Sequence, residues 1–239
     1  MSNCARCQQP MHDSPLICAA CGAVQSVAGI DYFQVFGLKR AFALDTVAVE
    51  REFHRLSRRL HPDRFARGSE TDRQNSLAAT ALLNDAWRVL RDPVERVEYL
   101  LKIEGHAVGE EHAGKGKSAE REPPPDLLEE VFDLNMQLEE IRMSQRMGES
   151  AEASTMTEIA AAGKRFEAML GEVDAALQAE GAKWDAGDAA TRAQAAKKMI
   201  ELLDRRRYVR NLVRDVRAAV TAQALQQELY GGNFVAESL

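Results

Sequence analysis

Arg58-Arg59-Leu60-His61-Pro62-Asp63-Arg64-Phe65 is the stretch whose reading decides the fold. Upstream of it, Val49, Phe53, Leu56 and Leu60 recur at i, i+4, i+7 and i+11, which is one apolar stripe of an α-helix. Asp45 or Thr46 can cap its start. Arg51, Arg55 and Arg58 fall at helical spacing on the other side. Pro62 ends the helix, because the residue before a proline is pushed out of the α region. A second helix is predicted over about residues 72–91, with Leu83, Ala86 and Leu90 apolar and Trp87 beside them, until Asp92-Pro93 breaks it. A short third helix follows, with Val94, Val97 and Leu101 on one face. Two long helices joined by a tight loop pack antiparallel, which leaves His61-Pro62-Asp63 exposed at one tip. The rigid proline holds an imidazole and a carboxylate outward at fixed separation, an arrangement suited to gripping another protein. Standing alone, the tripeptide is equally a loop with a proline in it.

Composition agrees with a helical chain. Aromatics make up only 6% of the residues, while Ala, Leu, Glu and Arg abound, a bias toward helix over sheet. The net charge of -6 excludes bulk attraction to nucleic acid or an anionic membrane, so any basic contact surface is local. No run of about 18 apolar residues occurs, so no membrane span is expected. The first residues have neither a signal peptide's basic start and apolar core nor a transit peptide's Arg-rich character, and a cytoplasmic location is the expectation. No coherent acid–base, nucleophile or phosphate-loop arrangement is present, so an enzyme is not expected.

Beyond the hairpin, residues 105–125 read as a linker: small residues, mixed charge, then Pro123-Pro124-Pro125. Residues 126–228 carry three amphipathic stripes: Val131, Leu134, Leu138 and Ile141; Phe166, Met169, Val173 and Leu177; and Leu202, Val209, Val213 and Val216. Packing them together as a three-helix bundle buries all three. The loop between the last two helices is expected to be long, and residues 229–239 form a tail.

All four cysteines lie within the first 21 residues, as Cys4-x-x-Cys7 and Cys18-x-x-Cys21. Two such knuckles complete a tetrahedral thiolate shell, and Gly22 suits the tight turn that follows the second pair. One structural zinc per chain is the expected occupant of a segment spanning residues 1–28, with binding energy serving as folding energy. An iron–sulfur centre uses the same ligands. Redox disulfides or spare thiols are the plainer alternatives, and His12, between the pairs, reads as a bystander.

Residues 30–104 resemble a J-domain: a short opening helix, a basic second helix, the His-Pro-Asp loop and an antiparallel third helix. The resemblance narrows with Asp31-Tyr32-Phe33-x-x-Phe36-Gly37-Leu38, Leu44-Asp45, Phe53, His61-Pro62-Asp63-Arg64-Phe65-Ala66, and Asp92-Pro93-x-x-Arg96-x-Glu98-Tyr99-Leu100-Leu101. Together these are similar to the HscB family, the dedicated co-chaperones of iron–sulfur cluster biogenesis, some members of which carry two N-terminal C-x-x-C pairs.

The resemblance implies an all-α fold: J-domain hairpin, C-terminal three-helix bundle and small N-terminal zinc knuckle. It implies two partners, a DnaK-type ATPase chaperone (HscA-like) that the J-domain stimulates and an IscU-type iron–sulfur scaffold protein that the bundle binds. Carried over by residue, His61, Pro62 and Asp63 form the chaperone-activating loop, with Arg55, Arg58, Arg59 and Arg64 as basic contacts. A solvated helix face accounts for those arginines equally well. Leu128, Phe132 and Tyr208 are the scaffold-binding candidates, with plain bundle core as the rival reading; Glu129 stands where the family often has a larger apolar residue. A general J-protein for unfolded clients and a zinc-ribbon nucleic-acid-binding protein are the competing functions. Arg6 as the lone basic residue among the first 30 argues against the latter.

Overall fold

The computed structural model describes residues 3–11, 14–108, 124–147 and 151–231. His12 and most of the expected linker and tail lie outside these. The helices are α1 (Tyr32–Val35), α2 (Thr46–Leu60), α3 (Glu70–Arg91), α4 (Pro93–Ile103), α5 (Leu128–Met147), α6 (Ala153–Ala186) and α7 (Ala189–Gly231). The all-α class follows directly from these elements. None of the described helices is long and apolar enough to cross a membrane. The chain forms two compact units, Met1–Val108 with Glu180–Ala196, and Gly109–Ala179 with Lys197–Leu239.

In the first unit each helix starts at a residue able to satisfy orphan amides. Asp45 accepts from the Ala48 amide at 2.9 Å, Ser69 from Asp72 at 3.1 Å, and Asp92 from Val94 and Glu95 at 2.8 and 3.0 Å. Helices α2 and α3 run antiparallel: Phe53 stacks on Trp87 at 5.6 Å near one end, while Ser76 reaches the Leu60 carbonyl at the other. Val49, Leu56 and Leu60 of α2 meet Leu83, Ala86 and Leu90 of α3 in the buried interior. The two sequence motifs that flank the hairpin touch each other. Tyr32 stacks on Tyr99 at 4.2 Å, the Tyr32 amide donates to the Tyr99 hydroxyl at 3.0 Å, and Arg40 bridges Asp31 and Glu104.

Arg96 is buried on α4 and sits 5.6 Å from the centre of the Phe42 ring. It donates to the carbonyls of Leu90 at 2.9 Å and Phe42 at 2.6 Å, which converts a costly buried cation into a tie between three segments. Burial draws its pKa down, while Asp92 and Asp185 hold it up. The Phe42 and Ala43 amides in turn donate to the two carboxylate oxygens of Asp185, both at 2.7 Å.

The second unit packs α5, α6 and α7 around one core. Leu134, Ile141, Ile159, Phe166 and Val209 are its best-buried members. Emptying a site such as Phe166 costs about 3–5 kcal/mol. Ion pairs Arg206–Asp174 and Arg217–Glu167 register α7 antiparallel to α6. Two details differ from the sequence expectation. The loop between α6 and α7 is only Gly187-Asp188, because Ala-rich stretches without a clean apolar period extend both helices toward the turn. On α7, Leu203 rather than Leu202 is buried, one turn after the buried Met199.

A β-carbon placed on Gly181 would lie 2.2 Å from the Phe42 ring. Gly181→Ala is therefore expected to destabilise the first unit by about 1–3 kcal/mol through overpacking, despite Ala's better helix propensity. Urea unfolding monitored by circular dichroism checks the sign.

Candidate functional site

The loop after α2 is a single 3-10 turn over Pro62–Phe65. Its backbone is closed by Arg64 N–H to the His61 carbonyl at 3.0 Å and Gly68 N–H to the Phe65 carbonyl at 2.8 Å. Pro62 supplies the fixed φ of the first turn position and has no amide to leave unpaired. His61 Nδ1 accepts from the Asp63 amide at 3.3 Å, which leaves Nε2 as the nitrogen able to donate to a partner. The Asp63 carboxylate lies 3.6 Å from the same Nδ1, with its side chain 91% exposed.

What holds this turn in place is a feature the sequence reading missed. Because the chain turns at Pro62, the Leu60 carbonyl has no helical donor. Ser76, fully buried on α3, donates to it at 2.6 Å, and Thr80, one turn later, at 3.2 Å. The only signal was two hydroxyls at i and i+4 on the α3 face that also carries Leu83.

The arginines divide. Arg55 pairs with Glu52 one turn back, at 2.7 and 2.5 Å. Arg58 and Arg64 are exposed and Arg59 is half-buried. These three have no acidic partner among the described residues, so the basic edge beside the loop is presented outward.

The four cysteines converge. Their sulfurs all lie within 4.8 Å of one another, with Cys4–Cys21 at 3.6 Å and Cys7–Cys18 at 3.7 Å. A tetrahedral zinc with Zn–S bonds of about 2.3 Å separates its sulfurs by about 3.8 Å, so this set fits such an ion. The thiols are free, and disulfide bonding would need about 2.05 Å. Each C-x-x-C sits in the same small hairpin. Gln8 N–H donates to the Cys4 carbonyl and Gly22 N–H to the Cys18 carbonyl, both at 3.0 Å. The residue after each second cysteine is left-handed, Gln8 at φ 60° and Gly22 at φ 72°.

Amides of the following knuckle residues donate to the leading sulfurs. The Cys7 amide, with smaller help from Arg6 and the neighbouring sulfurs, lowers Cys4 to about 6 against the cost of burial. The Cys21 amide likewise lowers Cys18. The Gln9 amide pulls Cys7 down, but burial and the other three sulfurs outweigh it and push Cys7 up to about 12. A metal ion at this cluster would replace the thiol protons, since the thiolate is the ligand form. Gln25, also missed from sequence, donates to the Cys4 sulfur at 3.5 Å and accepts from the Ala5 amide at 2.9 Å.

This knuckle packs on the start of α3. Arg6 pairs with Asp72 at 2.5 Å, and the Asn75 side chain donates to the Val24 carbonyl at 3.2 Å. Arg6 and Ser69 together hold the Asp72 carboxyl below the usual range.

In the second unit Leu128 and Phe132 are 52% and 63% exposed, so both point outward rather than into the core. Tyr208 is half-buried against the core and its phenol is raised by that burial. One turn before Tyr208, Arg205 makes a bidentate bond to Asp126 at 3.0 and 2.8 Å, which places Tyr208 at the end of the bundle where α5 begins.

Replacing both hydroxyls, Ser76→Ala with Thr80→Val, leaves a buried carbonyl unpaired. The expected loss is about 1–3 kcal/mol, with faster amide exchange at residues 61–68 than at the far end of the hairpin. Uniform exchange rates across the hairpin would contradict the anchoring role.

No protein-family model matches the chain. Among solved structures, it is similar to the human co-chaperone protein HscB, at 23% identity over 90% of this chain and 97% of that one, with a TM-score of 0.63. It is also similar to the chaperone HscB from Vibrio cholerae, at 26% identity over 81% of this chain and 99% of that one, with a TM-score of 0.56. Both likenesses cover most of each chain, and the chain therefore has the fold of an HscB-type co-chaperone.

Proposed function

We propose that this protein is a non-enzymatic J-type co-chaperone of iron–sulfur cluster assembly. In this reading, His61, Pro62 and Asp63, flanked by Arg58, Arg59 and Arg64, engage a DnaK-type ATPase of the HscA kind and stimulate hydrolysis. Leu128, Phe132 and Tyr208 at one end of the bundle hold an IscU-type scaffold. The observation that carries it is the loop itself: a histidine and an aspartate presented outward by a backbone turn that is closed and anchored from beneath. Nothing else in the hairpin requires a rigid, polar, exposed turn there. The likeness to two HscB structures across most of the chain supports the same reading.

The division of labour follows from the chemistry. Arginines steer and orient an acidic partner surface at long range. His61 and Asp63 then offer one donor and one acceptor at fixed spacing. Arg55 is the weakest of the proposed contacts, since Glu52 already engages its guanidinium. His61→Gln is expected to keep the helical content and melting temperature of the parent while abolishing ATPase stimulation of the chaperone partner. Unchanged stimulation would falsify the assignment.

Zinc held by Cys4, Cys7, Cys18 and Cys21 completes the proposal. The ion would supply four bonds that cross-link two hairpins too small to fold alone. The purified chain should contain one zinc, and Cys4→Ser with Cys7→Ser should lose it and expose residues 3–28 to protease. A metal-free chain as protease-resistant as the metal-loaded one would contradict this.

A further inference from the structure

Both halves of the cysteine knuckle reach the same turn of α3. Arg6 stands between Cys4 and Cys7, and its guanidinium donates to Asp72 Oδ1 at 2.5 Å. Val24 follows the second pair, and its carbonyl accepts from the Asn75 side chain at 3.2 Å. Asp72 and Asn75 lie one turn apart at the start of α3. The Arg6 side chain is 54% exposed, but that of Asp72 only 14%. A pair with one partner largely covered is screened less than a fully solvated one.

On its other side Asp72 meets the turn. Its second carboxylate oxygen accepts from the Ser69 hydroxyl at 2.8 Å, and its amide donates to the same Oγ at 3.1 Å. Ser69 is the residue that caps α3. Gly68, just before it, is wedged. A β-carbon there would lie 3.1 Å from the Phe65 carbonyl oxygen and 3.3 Å from the Asp72 β-carbon. The Gly68 amide closes on that same Phe65 carbonyl, and Arg73 holds the Gly68 carbonyl at 2.9 Å. An unbroken run of contacts therefore leads from the first cysteine pair through Arg6, Asp72, Ser69 and Gly68 to Phe65, where the turn ends.

The entry and the exit of the turn are held by different means. Ser76 and Thr80 anchor the entry at the Leu60 carbonyl. Residues 61–70 are all exposed or half-buried, so apolar packing does little for the exit. The polar contacts around Asp72 hold it instead. The knuckle is too small to keep its shape without a ligand on its sulfurs. When it opens, Arg6 and Val24 leave α3 together, because each lies within three residues of a cysteine.

We propose that Arg6 is a positioning residue for the His61-Pro62-Asp63 turn: the folded knuckle, acting through Arg6 on Asp72, holds the exit of the turn and makes chaperone stimulation depend on the knuckle being folded. This rests on the reading of the turn as the chaperone contact and adds a regulation of that same site. A turn with a loose exit still displays His61 and Asp63, but adopts the docking geometry for a smaller fraction of the time. Apparent affinity falls by that fraction, while the maximal stimulation does not.

Amide hydrogen exchange of the full chain, read at residues 61–73, tests this directly. Stripping zinc with a chelator should speed exchange there several-fold and leave residues 79–90 unchanged. Arg6→Ala, loaded with zinc, should give a similar rise at parental zinc content and melting temperature. It should also need several-fold more co-chaperone for half-maximal ATPase stimulation, with the parental maximum at saturation. Arg6→Lys, which keeps the charge, should recover most of both. Should Arg6→Ala lose its zinc, Asp72→Asn takes its place, removing the charge from the α3 side, with the same results expected. Exchange at residues 61–73 that ignores zinc removal, or parental exchange in the zinc-loaded variant, overturns the inference. Faster exchange with a parental half-maximal concentration overturns the regulation. A parent chain that stimulates no DnaK-type ATPase overturns the chaperone reading, while the exchange rates still decide the coupling.

Discussion

The carbonyl of Leu60 is the point on which the first unit turns. A helix that ends at a proline leaves its last carbonyls without donors, and a buried one costs about 1–3 kcal/mol if it stays so. Ser76 and Thr80 answer this from the neighbouring helix. In doing so they fix the axial register of α2 against α3 and seat the base of the turn. The position of His61 relative to Arg58, Arg59 and Arg64 is set locally, by the end of α2 and the turn that Arg64 N–H closes on the His61 carbonyl. Apolar packing alone would tolerate a slip of the hairpin more readily than two directional bonds to one oxygen.

Most of the hairpin was legible because its signals are local. Period 3.6 in Val49, Phe53, Leu56 and Leu60, an aspartate cap, and Pro62 and Pro93 as stops each act within a few residues. The convergence of Tyr32 on Tyr99 was legible only as two motifs, since their contact spans 67 positions. The grouping of residues 180–196 with the hairpin was not legible at all. It depends on a missing β-carbon at Gly181 that admits the Phe42 ring and on Asp185 meeting two loop amides, neither of which leaves a periodic trace. The loop-length difference has a local cause: in the Ala-rich end of α6 and start of α7 the apolar period is weak, so the pattern does not mark where the helices stop.

The sulfur cluster shows how much spacing can specify. Two C-x-x-C pairs are enough to bring four sulfurs within bonding range of one ion. What spacing does not carry is the environment. Gln8 occupies a left-handed position that Gly22 fills without strain in the equivalent knuckle, so the two halves are alike in backbone but unequal in cost. Gln25 and Arg6 likewise act through geometry. One reaches a sulfur and the other leaves the knuckle to meet Asp72 at the capped start of α3. Asp72 is thereby shared between a helix terminus and the cysteine knuckle, and both favour its ionised form.

Across the molecule, the residues that hold the fold and the residues that reach outward are separate sets on the same elements. On α2 and its turn, Leu56 and Leu60 are fully buried while His61 and Asp63 stand in solvent. On α5, Leu134 and Ile141 close the core while Leu128 and Phe132 stand clear of it. This separation has a physical consequence for how the surfaces can vary. A buried side chain is constrained by volume to within about a methylene, whereas an outward one is constrained only by what it meets. The outer face of α5 can therefore change without altering the core beneath it. The turn at His61 has less freedom, because its backbone is shared between Pro62 and the anchored Leu60 carbonyl.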